Sequence, residues 1–162
     1  MLIEHVITAM IEYNAGDPKR AGHLLKVYAF AKAIGTAEGL DAQTQRILEI
    51  AALTHDIGIR NSERKYGSCS GEQQQSEGPP EAEKLLAMLG ADQAQIERAC
   101  WLIARHHTYT NIQGMDYQIL VEADFLVNAY EDEMDEDAIR TVRDKLFRTK
   151  TGVELMNLLY FS

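Results

Sequence analysis

Apolar residues recur along most of this chain at the three- and four-residue spacing of an α-helix, and the alternation typical of β-strands is scarce. A first helix is indicated by an apolar face made of Leu2, Ile3, Val6, Ile7, Met10 and Ile11. The same pattern predicts later helices over about residues 19–38, 41–58, 79–89, 92–107, 116–130 and from 135 onward, with Gly152 separating a short last helix. We therefore expect an all-α, single-domain bundle of about seven or eight helices over residues 1–162, in which 131–162 pack on a core spanning about 17–130.

Helix boundaries are predicted from residues that cap or break helices. Several apolar stretches follow an Asp, whose carboxylate can accept hydrogen bonds from the free N–H groups of a first turn. The predicted N-caps are Asp41, Asp92, Asp116 and Asp135. Pro79 and Pro80 are predicted to open a helix, since proline fits best at a first helical position. The acidic run at 131–137 is predicted to be a solvated helix start, where negative charge is favoured.

The helical pattern disappears between residues 59 and 78, where Arg, Ser, Gly and Gln dominate. A segment of this length without apolar anchors predicts one long loop, and long loops in compact domains are commonly functional. We therefore expect a lid that becomes ordered when a ligand arrives.

Four polar residues stand on otherwise apolar helical stripes: His23, His55, Asp56 and Asp124. Each alone is consistent with a hydrogen-bonded core residue, but together they lie on three separate predicted helices. An ionised carboxylate buried without a partner costs several kcal/mol or more, and few Lys or Arg residues share these stripes. One divalent metal ion would satisfy all four side chains, and this nitrogen and oxygen donor set suits Mn, Fe, Co, Ni or Zn.

Composition narrows the class of protein. The net charge is −9, whereas a protein that binds a nucleic-acid scaffold needs a positively charged surface. Two cysteines cannot form a disulfide framework, and neither a signal-peptide pattern nor a membrane-spanning apolar run is visible. We therefore expect a cytoplasmic protein that does not bind membranes.

The order and context of these residues resemble the HD-domain phosphohydrolase superfamily, named for its H…HD…D pattern. The resemblance is carried by three stretches: residues 17–27 (DPKRAGHLLKV), 51–58 (AALTHDIG) and 120–124 (LVEAD). It implies a helical bundle with the metal at its centre, held here by His23, His55, Asp56 and Asp124. It also implies hydrolysis of a small phosphorylated substrate, with a nucleotide favoured.

Some branches of that superfamily hold more metals with further histidines. Here residues 76–80 (SEGPP) have no histidine where those branches place one, and Glu77 is the only side chain there that could replace it. His106 and His107 do match later histidines of those branches. We therefore expect one metal per chain, with His106 and His107 on the substrate side as proton donors or phosphate hydrogen-bond donors. Their alternative role is to cap the end of a helix.

The expected chemistry is hydrolysis by a metal-activated water. Asp56 or Glu63 would accept the proton of that water. The residues expected to contact substrate are Arg20, Lys26, Arg60, Arg64, Lys65, Glu77 and Tyr109. Two alternatives stay open, a di-iron oxygenase of the same fold and a non-catalytic module that senses a nucleotide. A homodimer also stays open.

Overall fold

The computed structural model describes residues 2–162, and this part of the chain contains nine α-helices and no strand. The helices are α1 (Leu2–Tyr13), α2 (Pro18–Ala37), α3 (Ala42–Thr54), α4 (Ile59–Tyr66), α5 (Gly71–Met88), α6 (Gln93–Ile103), α7 (Met115–Glu131), α8 (Glu136–Leu146) and α9 (Lys150–Tyr160). The prediction of an all-α bundle is confirmed. The pattern missed one helix because α4 lies in the segment predicted to be a loop.

The centre of the bundle is formed by α2, α3 and α7, which pack against one another. On α3 every residue from Ile47 to Thr54 is buried, and most of α7 is buried as well. Their apolar side chains join those of α1, α5, α6, α8 and α9 in one continuous core. The same three central helices carry the polar residues singled out above, so those residues lie inside the bundle. No helix among residues 2–162 combines the length and the apolar character needed to cross a membrane.

Three of the predicted N-caps are present. The Asp41 carboxylate accepts hydrogen bonds from the N–H groups of Gln43 and Thr44. Asp92 and Asp135 likewise cap the first turns of α6 and α8. These caps satisfy backbone donors that a helix start leaves without a partner.

Two predicted helix boundaries are wrong. Asp116 lies inside the first turn of α7, where it pairs with Arg98 at 2.8 Å, and Gly114 takes the N-cap position with a φ of 93°. Gly152 lies within α9 and does not end a helix. Its missing side chain has a packing role, since a Cβ there would come within 2.1 Å of the Glu122 carboxylate.

The prediction of a long loop over residues 59–78 is also wrong, because α4 and α5 occupy nearly all of it. The left-handed Gly67 (φ 68°) ends α4, and a capping box between Ser70 and Gln73 starts α5. The parts of these two helices within residues 59–78 are mostly polar, so they lack the apolar periodicity by which the other helices were recognised, whereas α5 from Pro79 onward falls in the predicted helix 79–89. Pro79 and Pro80 stand inside α5 and do not open it. The proposal of a lid therefore loses its structural basis.

Two helices end earlier than predicted, α3 at Thr54 and α6 at Ile103. His55 and His106 therefore stand just beyond a helix end, where the chain turns. In both cases the ring Nδ1 lies 2.8 Å from the carbonyl oxygen three residues earlier. The helix ends thus fix the orientation of both rings.

Candidate metal centre

The structure brings together His23 from α2, His55 and Asp56 from the end of α3, and Asp124 from α7. His23 Nε2 lies 3.3 Å from His55 Nε2, 3.4 Å from Asp56 Oδ2 and 3.3 Å from Asp124 Oδ1. His55 Nε2 lies 3.5 Å from each of the same two carboxylate oxygens. The two histidines and Asp124 are buried in the core. Four donor atoms from distant parts of the sequence therefore converge on one point.

These distances fit a single divalent ion. Ligands about 2.0–2.1 Å from a tetrahedral centre lie about 3.3–3.4 Å from one another. The separations between these donor atoms are close to that value. Asp124 Oδ1 is fully buried and has no hydrogen-bond partner among the described residues. An acceptor left in this state is costly, and a metal ion would supply the missing partner.

Hydrogen bonds at Nδ1 orient the rings of His55 and His23 so that Nε2 can bind a metal. His55 Nδ1 donates to the Ala52 carbonyl at 2.8 Å, and His23 Nδ1 donates to the Glu131 carboxylate at 2.9 Å. With its proton on Nδ1, a neutral imidazole presents the lone pair of Nε2. This is the arrangement typical of metal-bound histidines, whose second nitrogen is held by a carbonyl or carboxylate.

Charge within the cluster changes the pKa of its members. Burial alone would lower the pKa of His55, but Asp56 and Asp124 outweigh it and raise that pKa to about 9. Burial alone would raise the pKa of Asp56, but His55 and His106 lower it to about 2. The pKa of Asp124 is also lowered despite its burial, by the neighbouring His23 and His55. Without a cation, the imidazoles thus take positive charge to balance the carboxylates, and a bound metal would replace those protons.

Glu131 was missed as a functional residue and was predicted to belong to a solvated helix start. It is instead the last residue of α7, and its carboxylate contacts both His23 and Lys26. Glu131 stands seven residues after Asp124, which places both on one face of α7 two turns apart. This seven-residue spacing is the feature of the sequence from which Glu131 could have been recognised as part of the site. Lys26, predicted to contact phosphate, is thereby paired with Glu131.

A second group of side chains, formed by Asp56, His106 and His107, adjoins the four candidate metal ligands. His106 Nε2 lies 3.5 Å from Asp56 Oδ1, and this nitrogen is buried without a hydrogen-bond partner among residues 2–162. His107 is the third member, close enough for the three to share an ion. However, His107 Nε2 is bound to Gln74 Oε1 at 2.8 Å, and its Nδ1 faces the Tyr109 hydroxyl at 3.4 Å. His106 is therefore free to act on Asp56, whereas His107 is held by its neighbours.

His107 and Tyr109 are both uncharged at neutral pH. Burial and the neighbouring His106 lower the pKa of His107 to about 4. Burial and the charge of Asp124 raise the pKa of Tyr109 to about 12. Gln74, which positions the His107 ring, was missed because it belongs to the segment predicted to be a loop.

A cavity of about 240 Å³ opens this centre to solvent. It is lined by Asp17, Lys19, Arg20, His23, Asp56, Ile59, Asn128 and Glu131. Arg20 stands at its rim, with its guanidinium 3.0 Å from Glu63 and 3.6 Å from Asp17. Glu63, predicted to be a catalytic base, is thus paired with Arg20 and is not a member of either donor group.

Of the seven predicted substrate contacts only Arg20 lines this cavity, and six do not: Lys26, Arg60, Arg64, Lys65, Glu77 and Tyr109. The Arg60 guanidinium donates to the Tyr13 carbonyl and lies over the Tyr13 ring. Lys65 pairs with Glu77 at 2.6 Å, and Tyr66 also donates to that carboxylate. Arg64, from the same helix as Lys65, does not line it either. For the four that lie within residues 59–78 the helical form explains the difference, because a loop could fold over the site whereas α4 and α5 hold these side chains on their own surfaces.

Two comparisons with known proteins found a match for this chain. A structural relative is the crystal structure of a predicted HD superfamily hydrolase from an uncultured Thermotogales bacterium. The two are 26% identical, with a TM-score of 0.68, and the match covers 97% of this chain and 84% of the other. No curated protein matches the sequence significantly. The family model of the HD domain matches residues 20–148. Since that range includes His23, His55, Asp56 and Asp124 and most of the chain, this protein belongs to the HD-domain family.

Proposed function

We propose that this protein is a metal-dependent phosphohydrolase acting on a small phosphoester, with a nucleotide as the favoured substrate. Membership of the HD-domain family and the likeness to a hydrolase support metal-dependent hydrolysis in general. The observation that carries the proposal is the convergence of four donor atoms beside a cavity with cations at its rim. Lys19 and Arg20 line that cavity together with His23 and Asp56, so one small anion can meet both the cations and the metal centre.

His23, His55, Asp56 and Asp124 would hold the metal. When bound, a divalent ion lowers the pKa of a coordinated water and polarises a phosphoryl oxygen. Asp56 turns one carboxylate oxygen towards His23 and His55 and the other towards His106. The second oxygen of Asp56 is thus placed to accept the proton of the attacking water. His106, which lies beside that oxygen, is placed to share the proton.

The charged and polar groups around the centre have separate roles. Arg20 exchanges its contact with Glu63 for the substrate phosphate, since both are anions within reach of one guanidinium. Tyr109 and His107 are uncharged, bonded to each other and absent from the lining of the cavity, so we assign them no contact with the phosphate. Glu131 keeps His23 in the orientation that exposes Nε2.

We propose one metal ion per chain, because His107 already bonds Gln74 and Tyr109. His106→Ala and His107→Ala are therefore expected to keep about one bound metal per chain. Turnover should fall about a hundredfold in His106→Ala, the range typical of losing a group that moves protons. Metal analysis and initial rates measure the two effects. The control is His5→Ala, because His5 is exposed on α1. Loss of metal from the His106 variant would show that this residue is a ligand.

The test of the proposed function is a screen for phosphate release. The purified protein is stripped with a chelator, reloaded with Mn²⁺, Co²⁺, Ni²⁺, Fe²⁺ or Zn²⁺, and supplied with nucleoside monophosphates, sugar phosphates and an aryl phosphodiester. We expect release of phosphate, or of the aryl alcohol, only after reloading, with the nucleotides favoured. An Asp124→Asn variant treated in the same way is the control for contaminating phosphatases. Failure of every metal-loaded sample to hydrolyse any of these esters would refute the proposal.

A further inference from the structure

A groove between α2 and α7 leads away from the metal centre. The cavity that reaches His23 shares Lys19 and Glu131 with a second cavity of about 410 Å³. That second cavity shares Lys26 and Tyr130 with a third of about 240 Å³. The three cavities thus follow one another along α2 and α7, and together they are called the α2–α7 groove. The part of an ester beyond its phosphate can lie along this row of cavities.

The character of the α2–α7 groove changes along its length. The middle section carries the charged residues Lys19, Lys26, Glu131 and Glu133 beside Pro18 and Tyr130, so its walls are mixed. On the α2 side of this section Gly22 has no side chain, and the space beside it is open, since an added Cβ would meet no atom within 4 Å. The far end is apolar and aromatic, and it is lined by Phe30, Leu126, Val127, Tyr130, Leu159 and Tyr160. A ligand matching this order has a charged head, a polar middle and an apolar end.

The length of the α2–α7 groove sets the size of such a ligand. His23 and Phe30 are seven residues apart on α2, which corresponds to about 10 Å along the helix. This is comparable with the reach of a nucleoside monophosphate from its phosphate to its base.

Aromatic side chains at the far end favour a flat ring over an alkyl chain. Tyr130 is 77% exposed, so its ring is available to stack on a ligand. The Tyr160 hydroxyl donates to the Leu126 carbonyl at 2.6 Å, which holds the neighbouring Tyr160 ring in place. Stacking on aromatic side chains tolerates different ring chemistries, because every base offers a flat face.

We infer that the α2–α7 groove binds the esterified group of the substrate, with an aromatic base at the end formed by Phe30, Tyr130 and Leu159. This inference rests on the proposed function and extends it. The substrate class is a phosphomonoester in which a hydroxylated middle separates the phosphate from an aromatic ring. Tyr130 and Leu159 are then specificity-determining residues that lie outside the metal centre.

The experiment compares two substrates that differ only by the base, adenosine 5′-monophosphate and ribose 5-phosphate. In the wild-type protein the nucleotide should have the lower KM. Tyr130→Ser should raise the KM for the nucleotide about tenfold or more, an effect typical of losing one stacking partner. Leu159→Ser should raise it about fivefold, because it removes an apolar contact with the base. The KM for ribose 5-phosphate should stay within twofold. Both side chains are largely exposed, so these variants should fold, and Met88→Ser serves as control because Met88 is 76% exposed on α5.

The outcomes separate this inference from the proposed function. Equal KM values for the two substrates in the wild type, or equal changes for both in the variants, would overturn the groove assignment and leave phosphohydrolase activity intact. Absence of turnover with every phosphoester would overturn both. A change in oligomeric state in Tyr130→Ser without a selective change in KM would also overturn the assignment, since the exposed surface would then be a contact between copies of the chain.

Discussion

His55→Ala and Asp124→Ala are each expected to remove most of the bound metal and nearly all hydrolase activity. Each variant deletes one of four donor groups in which the Nε2 atoms of His23 and His55 lie 3.3–3.5 Å from each other and from one oxygen each of Asp56 and Asp124. We expect kcat/KM to fall by at least about a thousandfold, because the metal both binds the phosphoryl group and activates the water.

The same variants should lose about 1–3 kcal/mol of the free energy of unfolding, since each leaves buried polar partners unpaired. Metal content, initial rates and denaturant unfolding measure the three effects. Matched controls are His5→Ala and Asp132→Ala, whose side chains are exposed. A variant that keeps both its metal and the wild-type rate would show that its residue is not a ligand.

Glu122→Ala is expected to produce the largest loss of stability outside the metal centre, about 3 kcal/mol. The Glu122 carboxylate is fully buried on α7 and accepts hydrogen bonds from Gln118, from the backbone N–H groups of Arg148 and Thr149, and from the Thr149 hydroxyl. These bonds join α7 to the turn before α9. Removing the carboxylate leaves several buried donors without a partner.

The effect is measured by denaturant unfolding, with Glu136→Ala as the control. Glu136 is an exposed residue paired with Arg140 on the surface of α8, so its loss should change stability by less than about 0.5 kcal/mol. A change below about 1 kcal/mol in Glu122→Ala would contradict the role assigned to the buried carboxylate. The Glu122 variant should still bind metal when folded, which distinguishes it from Asp124→Ala.

The four candidate metal ligands could be recognised from the sequence because each interrupts an apolar helical stripe. Burial of α2, α3 and α7 follows from their composition, and charged residues on buried faces need a partner. The order of the residues within those helices then indicated the family. Convergence of His23, His55 and Asp124 on one point required the packing of three helices, which the pattern alone did not fix.

The rest of the site depended on contacts that leave little trace in the sequence. Glu131 was obscured by the acidic residues that follow it, although its spacing from Asp124 placed it on the same helical face. The helix α4 and the first half of α5 were missed because their residues are almost all polar. The capping box formed by Ser70 and Gln73 was the one local signal of α5, and Pro79 and Pro80 pointed to a different start.

The most direct test of the metal centre is anomalous diffraction from crystals of the metal-loaded protein, recorded at the absorption edge of the metal. We expect a strong peak about 2.0–2.3 Å from Nε2 of His23 and His55 and from one carboxylate oxygen each of Asp56 and Asp124. A second peak beside His106 would change the number of metals while leaving this centre in place. The absence of a peak between these four residues in metal-loaded crystals, or a peak held by other residues, would contradict the account.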